Sequence, residues 1–196
     1  HSFPTRRSSD LIVMVGLAVW AHSFCRSTLA FYDGLASSYK VPLKVFIWQP
    51  GTSNRDTVGY SHNEFSHIDY RFISNNRVDA LGLIERYKDW HHIFGTYQKG
   101  DLFREILLRT EKLGCKAAIA SEAPSNMAPP PISIVKSVYL TTILKYKVRS
   151  QINAADFIIN FSGDADVKLR SIGWKKNNII NCGYYSPPLL ESAFTT

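Results

Sequence analysis

One carboxylate in the sequence follows directly on a short apolar segment, where it could act on a substrate. The segment Lys116–Ser121, KAAIAS, has the composition of a buried strand, and Glu122 comes next, before Pro124 interrupts the chain. Because ligands of an open parallel α/β sheet bind beyond the carboxyl ends of its strands, Glu122 would line a cleft. A carboxylate there can bind a sugar hydroxyl or act as a general base. The alternative is structural: Glu122 caps the next turn or pairs with a lysine.

Other polar side chains fall at the predicted strand ends and could converge on the same cleft. His22 is the proton acceptor predicted in the first loop, with a purely structural hydrogen bond as the alternative. Ser27 is predicted to cap the first helix, whose backbone N–H groups could bind an acceptor or a phosphate. His91 and His92 begin a strand, at the wrong edge of the sheet for chemistry, and are predicted to be structural. The remaining candidate substrate-binding residues are Ser23, Gln49, Tyr97, Ser121 and Ser162.

These positions depend on a regular alternation of strands and helices along the chain. Several predicted strands are unbroken apolar runs, which is typical of a parallel sheet covered on both faces. The clearest helix begins at Asp101, carries its apolar residues on one face, and has Gly114 where a left-handed C-cap belongs. We therefore expect an α/β, Rossmann-like, doubly wound and mainly parallel sheet of about seven strands in three layers. The predicted strands are Ile12–Val19, Lys44–Gln49, Asp69–Ser74, His92–Tyr97, Lys116–Ser121, Phe157–Phe161 and Asn178–Tyr184.

Composition and missing motifs exclude several function classes. The 196 residues are 45% hydrophobic with a net charge of +7, which suits an anionic partner such as a phosphate, a nucleic acid or a membrane surface. The three cysteines are far apart and lack metal-ligand spacing, so reduced core thiols in a cytosolic protein are the simplest interpretation. The sequence has no dinucleotide-binding GxGxxG after the first strand and no P-loop GxxxxGK for a nucleotide phosphate. It also lacks the nucleophile-elbow motif GxSxG and the zinc-hydrolase motif HExxH. We expect no metal.

The helix predicted over residues 133–153 is unusually basic. It carries Lys136, Lys145, Lys147 and Arg149, and no acidic residue occurs from 123 to 155. Because ideal helical spacing does not gather all four cations on one face, we expect this helix to be largely buried against the sheet with exposed basic ends. Weak contact with an anionic membrane surface is the alternative.

The first eleven residues stand apart from the rest of the chain. HSFPTRRSSDL imitates the start of a signal peptide but resembles a translated sequencing-adapter read-through, and composition changes abruptly at Ile12. We expect residues 1–11 to be an artefactual or disordered leader, residues 12–186 to form the domain, and residues 187–196 to begin an interdomain linker.

The last part of the predicted domain carries a family resemblance. ADFIINFSGDADVKLRSIGWKKNNIINCGYY resembles the end of the N-terminal domain of GT-B glycosyltransferases, family 4-like, and the order of elements from Ile12 to Tyr184 is similar to that domain. The family pattern is Ala-Asp, an apolar strand, a serine, a short helix ending in glycine, a second strand and a Gly-aromatic step. The matching positions are Ala155, Asp156, Phe157–Phe161, Ser162, Leu169, Gly173, Ile179–Ile180 and Gly183–Tyr184.

The resemblance implies the acceptor-binding half of an enzyme whose missing C-terminal domain binds most of a nucleotide-sugar donor. The implied reaction moves the sugar, with retention, to a glycan or lipid-linked acceptor in surface polysaccharide synthesis, without a cofactor. It takes place in the cytoplasm or at the inner face of the plasma membrane, and this half alone is expected to be inactive. The family often has histidine where this chain has Glu122, and the first loop WAHSFCRS lacks the family's glycines. The alternatives are a non-catalytic α/β binding domain and another Rossmann-type transferase, such as a methyltransferase.

Overall fold

The computed structural model describes residues 14–23, 26–49, 67–73, 77–95, 101–121, 135, 138–162 and 166–182. Strands and helices alternate along them. The strands are β1 (Leu17–Ser23), β2 (Leu43–Gln49), β3 (Asp69–Phe72), β4 (His91–Phe94), β5 (Lys116–Ser121), β6 (Phe157–Asn160) and β7 (Ile179–Asn181). The helices are α1 (Arg26–Tyr39), α2 (Arg77–Arg86), α3 (Asp101–Lys112), α4 (Lys145–Ala154) and α5 (Asp166–Ser171), with a π-helical turn at Leu140–Leu144 and a 3-10 turn at Lys176–Asn178.

The seven strands form one sheet in the order β3-β2-β1-β4-β5-β6-β7. Every neighbouring pair is parallel. The chain moves outward from β1 to β3, then returns to place β4 on the other side of β1, so the strand order switches between β1 and β4. The predicted α/β, Rossmann-like, mainly parallel sheet is confirmed.

Each face of the sheet packs against helices through its own apolar cluster. On one face, α1 covers the sheet with Leu29, Tyr32 and Ala36, which pack on residues of β1, β2 and β4 to β6. On the opposite face, buried residues of α2 to α5 pack around Trp20 and Phe94. The strands are continuous apolar runs because both of their faces are covered, as parallel sheets require.

The first strand differs from its predicted span. We expected Ile12–Val19 followed by a loop at Trp20, whereas β1 is Leu17–Ser23 and residues 14–16 precede it without strand pairing. The apolar run alone cannot locate a strand, because pairing defines it: Leu17 is opposite Leu43, and Ser23 is opposite Gln49. His22 and Ser23 therefore lie inside β1, not in a loop after it.

The other predicted elements agree to within a few residues, with one local exception. Strand β5 has its predicted bounds, and Gly114 ends α3 with φ of 70°, as the predicted left-handed cap requires. The predicted helix over 133–153 is interrupted by the π-helical turn. There the Thr142 hydroxyl donates a hydrogen bond to the Val138 carbonyl, a competing side-chain bond of the kind that distorts helices.

The amino-terminal ends of β1 and β4 are joined by close aromatic packing. Trp90 lies directly over Gly16, where an added Cβ atom would come within 2.4 Å of two indole carbons. The His91 amide donates to the Gly16 carbonyl at 3.0 Å, which holds the two segments in register. The Trp90 ring also packs on Tyr87, with ring centroids 4.7 Å apart. Only glycine fits at position 16 without displacing this indole.

Candidate functional site

The carboxyl-terminal edge of the sheet is its polar edge. Strands β1, β2, β5, β6 and β7 end respectively at Ser23, Gln49, Ser121, Asn160 and Asn181. Their registers place Ser23 opposite Gln49, Ser121 opposite Asn160, and Asn160 opposite Asn181. Parallel sheets of this topology bind ligands at this edge, beside the switch in strand order.

The switch in strand order divides the polar strand ends into two groups. His22, Ser23 and Gln49 lie on the side of β1 and β2, whereas Ser121 and Ser162 lie on the side of β5 and β6. Strand β4 stands between them and is followed by Gly95, whose amide donates to the Trp20 carbonyl at 2.8 Å. A Cβ atom at Gly95 would be 3.3 Å from that carbonyl oxygen, so the glycine permits close pairing at the centre of the edge.

The first group includes a helix amino terminus. His22 is half-buried and lies two residues after Trp20, on the same face of β1. Only two residues separate β1 from α1, so the amino terminus of α1 is close to the end of β1. Ser27 falls inside the first turn of α1, which begins at Arg26, so its predicted capping position is wrong by about one residue. That turn contains no acidic residue, and the positive end of a helix dipole suits an anion.

The second group is organised by a chain of side-chain amides. Asn160 is completely buried, and its Oδ1 atom accepts a hydrogen bond from the Ser162 backbone amide at 3.0 Å. Its Nδ2 atom donates to Asn181 Oδ1 at 2.6 Å, and Asn181 Nδ2 donates to Asp166 Oδ1 at 2.7 Å. The network fastens the segment after β6 and the first turn of α5 to the edge of the sheet.

Sequence reasoning singled out Ser162 but not the amide network that holds it. A signal was present: the triplet Ile-Ile-Asn occurs at 158–160 and again at 179–181. The register pairs the two triplets residue by residue, so the asparagines meet at the same edge. A buried asparagine at the end of an apolar strand needs polar partners, and a second asparagine at the same level of the next strand can provide one.

Two of the predicted site residues, Glu122 and Tyr97, lie outside the described residues. Glu122 directly follows Ser121, the last residue of β5, so the predicted strand that would present it is confirmed up to that point. Ser121 and Ser162 are half-buried. The roles assigned to all eight candidate residues stay predictions.

Both histidines at the start of β4 were predicted to be structural, and His92 is held by the fold at both ring nitrogens. The Trp20 indole N–H donates to His92 Nδ1 at 3.0 Å, so His92 Nε2 carries the ring proton and donates to the Tyr87 carbonyl at 3.0 Å. Burial lowers the pKa of His92 to about 4, and burial also lowers the pKa of His91. His92 is therefore a neutral imidazole with both nitrogens occupied, at the edge opposite the polar strand ends.

A second concave feature has a mainly apolar lining, which also includes His91, His92 and Lys116. A cavity of about 270 Å³ lies on the α1 face of the sheet, between Phe31 and Leu35 of α1 and Ile159 of β6. Cys182 lines it, but burial raises the pKa of this thiol, which disfavours the thiolate nucleophile. Cys115 and Cys182 are free, as expected, yet Cys182 is exposed and Cys115 half-buried, so the prediction of core thiols is wrong for both.

The described ranges contain neither a metal-binding cluster nor a membrane-spanning helix. In them, no group of three or more His, Cys, Asp or Glu side chains is placed to hold a metal ion. No helix among the described residues is long and apolar enough to cross a bilayer.

Comparison with known proteins finds similarity of fold. No protein-family model and no curated protein sequence matches the chain. The crystal structure of Anabaena HepE in complex with UDP-glucose matches with a TM-score of 0.52 and 12% sequence identity, over 85% of this chain and 43% of HepE. HepE in complex with UDP matches with a TM-score of 0.50 and 12% identity, over 86% of this chain and 43% of HepE.

The chain thus spans less than half the length of the structures it resembles. At this identity the likeness concerns the fold, and it supports the GT-B-like fold that the resemblance in the sequence implied. UDP-glucose and UDP are the ligands in the HepE structures.

Proposed function

We propose that this chain is the acceptor-binding half of a GT-B glycosyltransferase, family 4-like, that transfers a sugar from a nucleotide-sugar donor. The acceptor is a glycan or a lipid-linked molecule of surface polysaccharide synthesis. The donor is bound mainly by a C-terminal domain beyond this chain, and transfer proceeds with retention. The protein works in the cytoplasm, in weak contact with the anionic inner face of the plasma membrane.

One observation supports the proposal above others: polar strand ends flank a strand-order switch, in a fold similar to that of a protein crystallised with UDP-glucose. A crevice at such a switch accommodates a polar ligand next to a helix amino terminus. The net charge of +7 adds attraction for a diphosphate or a phosphorylated acceptor. The buried Asn160 network gives one wall of the crevice a fixed backbone.

Glu122 and His22 are the residues proposed to do the chemistry. Glu122 follows β5 and would contact the acceptor hydroxyl or accept its proton, and His22 would contact the acceptor or the donor phosphate. Ser23, Ser27, Gln49, Tyr97, Ser121 and Ser162 are proposed to form the polar rim.

The test is sugar transfer by the protein that includes both domains, with radiolabelled UDP-glucose as donor and a lipid and glycan extract of the source cells as acceptor. Glu122→Gln keeps the shape of the side chain but removes the base, so we expect turnover to fall by about 10²-fold or more. The matched control is Glu111→Gln on the exposed surface of α3, which should leave turnover unchanged.

Two results would contradict the proposal at different levels. Normal turnover in Glu122→Gln would remove Glu122 from the chemistry while leaving the enzyme class intact. Binding of UDP-glucose without transfer to any fraction of the extract would favour the non-catalytic binding domain. Binding of S-adenosylmethionine instead of UDP-glucose would favour another Rossmann-type transferase.

A further inference from the structure

Five large apolar side chains are exposed along the helical segment that contains the π-helical turn. Val135, Val138, Tyr139, Ile143 and Tyr146, here called the 135–146 stripe, are all exposed, and Tyr146 is 81% exposed. Among the side chains described from 135 to 146, only Leu144 is buried, so all five lie on the outward side of the segment. Exposed large apolar residues that gather on one face, instead of being scattered, indicate a binding surface.

The same segment is anchored to the domain by its other face. Leu144, Val148, Gln151 and Ala154 are buried, and Leu144 and Val148 belong to the core cluster beneath α2 to α5. The expectation of a helix largely buried against the sheet is therefore wrong, because among the described residues only a narrow apolar side of it is buried. The segment is rigidly placed by the core and presents the 135–146 stripe outward.

The charges that follow the stripe along the chain all have the same sign. Lys145, Lys147 and Arg149 are exposed at its carboxyl-terminal end. No acidic residue occurs anywhere from 123 to 155. A protein partner of mixed charge would find no complementary acid here, and two copies meeting stripe to stripe would bring both sets of cations together. An anionic surface matches the charges and the apolar row at once.

We propose that the 135–146 stripe docks this domain on an anionic lipid bilayer, with its helix lying in the plane of the interface. The valine and isoleucine side chains would enter the boundary between headgroups and acyl chains, and Tyr139 and Tyr146 suit the headgroup level. Lys145, Lys147 and Arg149 would contact lipid phosphates, a gain that falls with distance and with salt. Docking of this kind does not depend on sugar transfer, and it gives the membrane contact of the proposed function a defined surface.

The test is cosedimentation of the chain with vesicles of phosphatidylcholine alone or of phosphatidylcholine with phosphatidylglycerol. We expect binding to the anionic vesicles only, weakening as salt is raised. Removing two cations in Lys145→Gln/Lys147→Gln should weaken that binding about 25-fold, since each surface cation contributes about five-fold. Val138→Ser/Tyr146→Ser should weaken the binding to anionic vesicles at all salt concentrations, because these two side chains contribute through apolar contact.

The controls replace side chains of the same type elsewhere on the surface. Val78→Ser on α2, where the valine is 82% exposed, and Lys112→Gln on α3 should bind anionic vesicles like the wild type. Circular dichroism checks that every variant is folded. If the stripe variants and the controls bind equally, the surface is not the docking site.

Two other outcomes would overturn the proposal. Failure of the wild type to bind anionic vesicles would exclude lipid as the occupant. A concentration-dependent dimer that Val138→Ser/Tyr146→Ser abolishes, without vesicle binding, would identify a second copy instead. In parallel, transfer of sugar from UDP-glucose to a water-soluble acceptor is measured with the protein that includes both domains. If vesicle binding fails but sugar transfer persists, this inference fails and the proposed function stands.

Discussion

The two edges of the sheet differ in how they use their side chains. At the amino-terminal edge, Gly16, Trp90 and Tyr87 are in close contact, and His92 uses both ring nitrogens within the fold. At the carboxyl-terminal edge, five strands end in hydroxyl or amide residues. Trp20 lies between them, with its ring directed to His92 and its carbonyl paired with Gly95.

The difference teaches where this fold can accept a ligand. Around Gly16 the packed aromatic side chains leave no room for new atoms, since even one methyl group there would collide with an indole. Hydroxyl and amide groups at a strand-order switch offer hydrogen-bond donors and acceptors to a ligand. Substitutions at the two edges should therefore differ in both size and kind of effect.

The largest effect on stability is expected at the amino-terminal edge from Gly16→Ala. The new Cβ atom would lie 2.4 Å from Trp90 ring carbons, so the indole must move away from Tyr87. Overpacking of this kind lowers the free energy of unfolding by about 3 kcal/mol, which urea denaturation measures. The matched control is Gly82→Ala in α2, where nothing lies within 4 Å and alanine should raise stability by about 0.5–1 kcal/mol.

A second substitution distinguishes the clash from a backbone effect. Trp90→Leu removes the indole, so adding Gly16→Ala to it should cost much less than adding it to the wild type. If Gly16→Ala is equally costly in both backgrounds, the contact with Trp90 is not the cause. If it is harmless in the wild type, the amino-terminal edge is not tightly packed and the contrast between the edges fails.

The next effect is a loss of stability in acid that depends on His92. Its pKa is about 4 in the folded protein and 6.5 in the unfolded chain, so below pH 6.5 the unfolded state binds a proton that the folded state excludes. Stability is therefore fully present above pH 6.5 and falls by about 3 kcal/mol on acidification to pH 4. Folding free energies measured across this window should depend less steeply on pH in His92→Gln.

His67→Gln is the matched control for this pH dependence, because His67 is exposed on the protein surface. A slope that is reduced in His92→Gln but not in His67→Gln would assign the acid sensitivity to the buried histidine. Equal slopes in wild type and His92→Gln would show that His92 does not carry the acid sensitivity, and the buried histidine would then be more tolerant of charge than its two hydrogen bonds suggest.

The edges also differ in how far the sequence predicts them. Strand β5 was predicted to the residue, because Gly114 ends the preceding helix and the polar Ser121 and Glu122 end the apolar run. Strand β1 was misplaced, because the apolar run begins before the pairing with β2 does, and pairing is a property of two segments. The Asn160 network was missed for the same reason: it exists only once the register of β6 and β7 brings Asn160 opposite Asn181.

The smallest of these effects is expected at the carboxyl-terminal edge, from the two asparagines compared with each other. Asn160→Ala leaves the Ser162 backbone amide and the side-chain Oδ1 atom of Asn181 without their present partner. Because Asn160 is completely buried, we expect a loss of about 2 kcal/mol in the free energy of unfolding. Asn181→Ala breaks two side-chain hydrogen bonds as well, but Asn181 is exposed, so water replaces them and the loss should stay below about 1 kcal/mol.

The two asparagine variants test whether the polar edge is fixed or adaptable. Denaturation of each single variant and of the double variant gives their coupling, which should be close to the whole cost of Asn181→Ala if the two amides act through each other. Equal costs for the single variants would mean that water reaches Asn160 too, and the Asn160 network would then be adaptable instead of fixed. A cost at Asn160 that exceeds that of Gly16→Ala would reverse the order of the two edges, and the carboxyl-terminal edge would be the better packed of the two.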